Sequence, residues 1–167
     1  ALFRVETVNL DKLASVFANR AQSASNHKRL TRFFRQFVID FDEIAQAVVS
    51  WSQIPPPWTL SLDRTNWSFG TVNFNILMLG IVHEGVAFPL MWTMLDKRGN
   101  SNSDERMALL ERFERLFPDV EIHCLTGDRE FVGRQWCSYL MLPDVLAFRL
   151  RLRHSDRISS RSGKRRQ

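Results

Sequence analysis

Hydrophobic positions along residues 1 to about 51 recur at helical spacing. Leu10, Leu13, Ala14 and Phe17 fall at i, i+3, i+4 and i+7, one face of a helix. Asn26 is placed to cap a second helix, whose apolar stripe is Leu30, Phe33, Phe34 and Phe37. Lys28, Arg32 and Arg35 lie on another face of it, with Arg29 nearby. Asp40 or Asp42 opens a third helix carrying Ile44, Ala45, Ala47, Val48 and Val49. The run Ile54-Pro55-Pro56-Pro57 ends the helical pattern, because consecutive prolines favour extended geometry. A domain seam is expected near residue 52.

Beyond the prolines the period drops to two. Trp58 to Asp63 reads as a strand. Val72 to His83 reads as a longer, buried one through Ile76-Leu77-Met78-Leu79. Val86 to Leu95 is a third, and Pro89 inside it predicts an edge or a bulge. Ser103 is expected to cap a helix with Met107, Leu110, Phe113 and Phe117 inward, closed by Pro118. A fourth strand follows over Glu121 to Asp128. A short helix is expected from Arg134 to Leu142, ended by Pro143, and a fifth strand over Val145 to Arg153. Three strands, helix, strand, helix, strand is the order of an RNase H-like fold. The expected class is therefore α/β: an N-terminal helical head, then an RNase H-like mixed five-stranded sheet with helices. The expected divisions are 1–52, a DNA-binding head by its three short helices and basic face, a pattern that a small helical bundle with a basic solvated face shares; 53–153, the sheet domain; and 154–167, a basic disordered tail.

Composition narrows the partners. With 44% hydrophobic and 25% charged residues the chain is globular in type. No apolar run reaches about 18 residues, so no membrane span is expected. Leu2 to Leu10 lacks the basic start and apolar core of a signal peptide. Cys124 and Cys137 have no metal-type spacing and suit a reducing cytosol. The net charge is +5, yet Phe148 to Gln167 holds eight Lys or Arg against Asp156 alone, leaving residues 1 to 147 slightly acidic. The basic character is local. It fits phosphate contact through Arg149, Arg151 and Arg153, which alternate with Phe148, Leu150 and Leu152; plain solvation fits the same pattern.

The chemistry rests on two carboxylates. Asp63 ends the first strand and Asp128 the fourth. On neighbouring strands they converge, and two ionised carboxylates at close range repel unless a cation lies between them. Hard divalent ions prefer such oxygens, and a metal pair supports in-line phosphoryl transfer. Either Asp alone reads more commonly as a turn or N-cap residue. Trp67 and Trp92 suit base stacking but are expected to be buried. His83 and His123 lack ligand spacing, and Ser61 has no base near it in sequence.

Around the two acids stand Leu62-Asp63-Arg64-Thr65-Asn66-Trp67 and Leu125-Thr126-Gly127-Asp128-Arg129-Glu130-Phe131. These resemble the first- and second-aspartate motifs of DDE transposases of the insertion-sequence-four type. Gly80 to Trp92 and Thr7-Val8-Asn9-Leu10 are similar to further segments of that family, so the resemblance spans residues 7 to 153. It implies that Asp63 and Asp128 are the first two of three acids binding Mg2+ or Mn2+. It implies DNA as partner, both transposon terminal repeats and target; the second motif adds Arg129 as a contact to those the basic pattern offers, Lys28, Arg29, Arg32, Arg35, Arg149, Arg151 and Arg153. Glu130 becomes an accessory residue. The family's reaction is metal-dependent cleavage and strand transfer, commonly by homodimers, in the bacterial cytoplasm at the nucleoid.

The chain departs from the family at the third acid. That acid is a Glu in a Tyr-x2-Arg-x3-Glu motif after the fifth strand. Here the single tyrosine, Tyr139, precedes that strand, and no Glu follows Glu130. The resemblance therefore implies that residues 53–153 are a partial catalytic domain, the first half of an RNase H-like one, in a truncated or frameshifted transposase that does not turn over. Two alternatives stay open: an RNase H-like nuclease, and a DNA-binding fragment without enzymatic activity.

Overall fold

The computed structural model describes residues 2–142, 146–159 and 165–166, with side chains left undescribed at Phe69 and at 158–159 and 165–166. The chain divides into two compact units, Ala1–Asp40 and Phe41–Gln167.

The first unit holds α1 (Leu2–Val5), α2 (Leu10–Ser15) and α3 (Ser23–Gln36). Asn9 caps α2, its side-chain oxygen accepting the N–H groups of Asp11 and Lys12. Asn26, expected as a cap, lies inside α3, which begins three residues earlier at Ser23. Its amide is buried and donates to Ala14 O and Asn19 Oδ1 while accepting from Asn19 Nδ2. A buried amide must be satisfied, and this one ties α3 to the end of α2.

The second unit opens with α4 (Phe41–Ser52). The unit boundary thus precedes α4, whereas the proline run suggested a seam at residue 52. Ala45 of α4 is fully buried in the same core as the sheet, Val48 and Val49 pack on it, and Asp42 pairs with Arg112. The prolines end a helix; they do not end a packing unit.

Five strands make one sheet in the order β3-β2-β1-β4-β5: β1 (Trp58–Phe69), β2 (Val72–His83), β3 (Val86–Met94), β4 (Ile122–Gly127) and β5 (Phe148–Leu150). β1 to β3 form an antiparallel meander, and β4 joins β1, and β5 joins β4, in parallel. Parallel neighbours need crossovers. These are α5 (Ser103–Leu116) between β3 and β4, and a 3-10 turn (Arg129–Phe131) with α6 (Arg134–Leu140) between β4 and β5. This is α/β architecture with the strand order and directions of an RNase H-like fold. The buried face carries Leu60 and Leu62 of β1 opposite Ile81 and Leu79 of β2, packed with Leu109, Leu110 and Phe113 of α5 and with Trp136 of α6.

Several boundaries moved. β1 runs on to Phe69 because β2 pairs with it as far as Phe69↔Val72, closing on a tight turn in which Gly70 takes φ 61°. Trp67, expected buried, lies on this extension and is 52% exposed, resting on its cross-strand partner Phe74 with ring centroids 5.7 Å apart. Pro89 sits at an irregularity opposite Gly80 on the edge strand, as its ring requires. Asn102, not Ser103, caps α5, through a reciprocal capping box with Glu105. Pro143 and Val145 lie outside the described residues. In the tail, Ile158–Ser159 pairs antiparallel with Arg165–Arg166, and 160–164 and 167 also lie outside them. Among the described residues no helix is long and apolar enough to cross a membrane.

Candidate functional site

β1 and β4 run in the same direction, so their C-terminal ends lie side by side. Their register pairs Ser61 with Thr126 and Leu62 with Gly127. Asp63 and Asp128 come next on each chain. Leu60 and Leu62 point into the core, and the alternation turns Ser61 and Asp63 to the other face. Thr126 reinforces the alignment by donating its hydroxyl to Leu60 O at 3.0 Å. The result is an open cleft of about 290 Å³ lined by Ser61, Asp63, Thr126, Gly127, Asp128 and Arg151. The structure therefore brings the two sequence-predicted acids to one place.

Each carboxylate is oriented by the chain that follows it. Asp63 Oδ1 accepts the N–H of Arg64 at 2.7 Å. Asp128 Oδ1 accepts the N–H of Arg129, capping the 3-10 turn. Both side chains are exposed, Asp128 by 56%. Both acids line the cleft. Arg151 is fixed at the rim by its backbone N–H on Gly127 O at 3.0 Å. Arg129 stands beside Asp128, its Nε 3.9 Å from Oδ1.

Glu130 is paired with Arg64. Its Oε1 accepts Arg64 Nε at 2.9 Å and its Oε2 accepts Arg64 Nη2 at 3.0 Å. Arg64 also donates to Asn75 Oδ1 at 3.1 Å and Asn100 Oδ1 at 3.2 Å. The buried Asn75 is held in turn by donating to Lys97 O and Gly99 O, both at 2.9 Å. From α5, Arg106 donates to Glu130 O and lies over the buried Phe131 ring, 5.0 Å from its centroid. Burial lowers the pKa of the Arg106 guanidinium, and the charges of Glu130 and Glu105 oppose that shift. Asn75 and Arg106 did not stand out in sequence. A polar residue at a buried register of β2 was the available signal for Asn75.

Among the described residues no group of three or more His, Cys, Asp or Glu is placed to hold a metal ion. Two carboxylates in an open cleft do not make a closed protein cage. They fit the way Mg2+ is commonly held, by one or two carboxylates with water and substrate phosphate completing the shell.

Apart from Arg129, which stands beside Asp128, the expected DNA-contacting residues fall in two regions. Lys28, Arg29, Arg32 and Arg35 are all exposed on α3. Arg149 on β5, Arg151 and Arg153 are exposed near the end of the second unit, and Arg153 N–H bonds Asp156 at 2.7 Å.

No protein-family model matches the chain, and no curated protein matches it. Among solved structures it is similar to a chain in the cryo-EM structure of the simian T-cell lymphotropic virus intasome in complex with PP2A regulatory subunit B56 gamma. That likeness has a TM-score of 0.41 and 10% identity, and it covers 88% of this chain and 52% of the other. This chain thus spans about half the length of that neighbour.

Proposed function

We propose that Asp63 and Asp128 are two acids of a divalent-metal site for DNA phosphodiester chemistry, of the DDE transposase kind and the insertion-sequence-four type. One observation carries the reading. The parallel β1–β4 register delivers to a single cleft two aspartates that stand in separate motifs far apart in sequence. Mg2+ or Mn2+, when bound, supplies charge neutralisation and activation of an attacking oxygen. The chain's own residues hold and orient the oxygens. Asp63 and Asp128 face the cleft, backbone N–H groups fix one oxygen of each, and Arg151 offers a cation to a DNA phosphate at the rim. The site gathers two acids among the described residues, and no Glu follows Glu130. On this reading the chain by itself binds metal and DNA without cleaving.

The test uses the purified chain. Free aqueous Mn2+ is followed by electron paramagnetic resonance during titration. Asp63→Asn and Asp128→Asn should each weaken binding by more than about ten-fold, since even outer partners of metal ligands commonly matter that much. Supercoiled DNA incubated with the chain and Mg2+ or Mn2+ should stay intact. Binding that survives both substitutions defeats the metal reading. Nicking that disappears in Asp63→Asn shows the chain to be an active enzyme.

A further inference from the structure

We propose that the Arg64–Glu130 ion pair holds Asp63 and Asp128 at one cleft, which makes Arg64 and Glu130 positioning residues. Its consequence for metal affinity rests on the function proposed above; the positioning itself does not.

The described β1–β4 ladder ends at Leu62↔Gly127. Beyond that pair the two chains part. β1 continues with β2 as far as Phe69, while β4 turns into the 3-10 segment at Arg129. The acids thus sit just past the last rung. Arg64, directly after Asp63, and Glu130, two residues after Asp128, bridge the gap with a two-point fork of 2.9 and 3.0 Å. The side chains of this pair are only 12% and 21% exposed, so water screens it less than a surface pair. Two parallel charge-assisted bonds fix an angle as well as a distance.

Both partners are braced from outside. Asn75 is oriented by two carbonyls of the 97–99 loop and receives Arg64 Nη1. Arg106 grips the Glu130 carbonyl, and the fully buried Phe131 roots the turn in the core. Both Glu130 oxygens are engaged by Arg64, and Glu130 is not among the residues that line the cleft.

Two readouts on the full chain test this. The first needs no metal. In a Cys124→Ala, Cys137→Ala background, Asp63→Cys and Asp128→Cys are introduced together and the rate of disulfide formation is measured. Both positions line one cleft just past the last rung, so the rate reports how readily their Cβ atoms come within disulfide reach. Adding Glu130→Gln, which keeps the side-chain shape, should slow crosslinking several-fold, and Arg64→Gln should do the same. The second readout is Mn2+ affinity in the chain with its native cysteines and aspartates. Glu130→Gln should weaken it about ten-fold. In an Asp63→Asn background the same change should add nothing.

Crosslinking unchanged in both variants overturns the proposal, whatever happens to the melting temperature. Unchanged crosslinking with lost Mn2+ affinity also overturns it, and makes Glu130 a ligand. Pair-dependent crosslinking in a chain that does not bind Mn2+ upholds the positioning and defeats the metal reading alone.

Discussion

Glu105 shows how one carboxylate can serve a helix and a site-bearing loop together. Its Oε2 accepts the Asn102 N–H at 2.7 Å, completing the cap of α5, and lies 2.8 Å from Lys97 Nζ. Lys97 belongs to the loop whose carbonyls orient Asn75. Partial burial pushes the Glu105 carboxyl up. The Lys97 hydrogen bond, the Asn102 N–H and the charges of Lys97 and Arg106 outweigh it, so the pKa falls below its ordinary 4.5. A carboxyl depressed in the folded state contributes stability above its unfolded pKa and loses it as pH falls through the folded one. Glu105→Gln should therefore lower the melting temperature at pH 7, and the gap to the parent chain should shrink below about pH 4.5. A gap independent of pH would mean that the cap acts without charge. At this scale the sequence was legible where chemistry ends a pattern. Asp63 closes an alternating run, and Asp128 follows another. It was not legible where two neighbours compete for one task. Asn102 and Ser103 are both good caps, and only the backbone, extended at Asn102 with φ −88° and ψ 176°, decides. Nor could it show Arg64 meeting Glu130, because that contact depends on strand register.

Gly80 controls how β2 and β3 fit together. The register shifts between Leu79 and Gly80, and Gly80 faces Pro89, which lacks an N–H. A Cβ at residue 80 would stand 2.7 Å from Phe88 O, a backbone atom with no rotamer to change. Gly80→Ala should cost about 1–3 kcal/mol, the usual range for overpacking. A lower denaturant midpoint at unchanged slope would show it. An unchanged midpoint would mean that the edge strand gives way freely. Element types followed from periodicity, and Pro89 correctly announced a bulge on an edge. Extents followed less well. Arg64, Thr65 and Asn66 carry no apolar signal, yet β1 continues through them because β2 supplies partners. The membership of α4 was hidden for a similar reason. Ala45, Val48 and Val49 show a helix with an apolar face, but only tertiary contact shows that the sheet core covers it.

The charge of the whole chain is unevenly spread, and this makes DNA binding testable apart from the metal. Residues 1 to 147 are slightly acidic overall, so attraction to a phosphate backbone must come from local clusters. Two are available: the exposed Lys28, Arg29, Arg32 and Arg35 on α3, and the arginines from Arg149 onward. Each phosphate neutralised releases counterions and adds about 0.9 to the slope of log affinity against log salt on duplex DNA. If all four residues of α3 make such contacts, replacing them together with Gln should lower the slope by about 3 to 4. Asp63→Asn, which touches the cleft alone, should leave the slope unchanged. Fluorescence anisotropy on duplex DNA across salt concentrations, with the full chain throughout, supplies both numbers. A quadruple variant with the parent's slope assigns the basic face of α3 to solvation and leaves phosphate contact to Arg149, Arg151 and Arg153 with the tail. A reduced slope with Mn2+ binding intact separates DNA capture on α3 from the carboxylate cleft, as two functions carried by different parts of one chain.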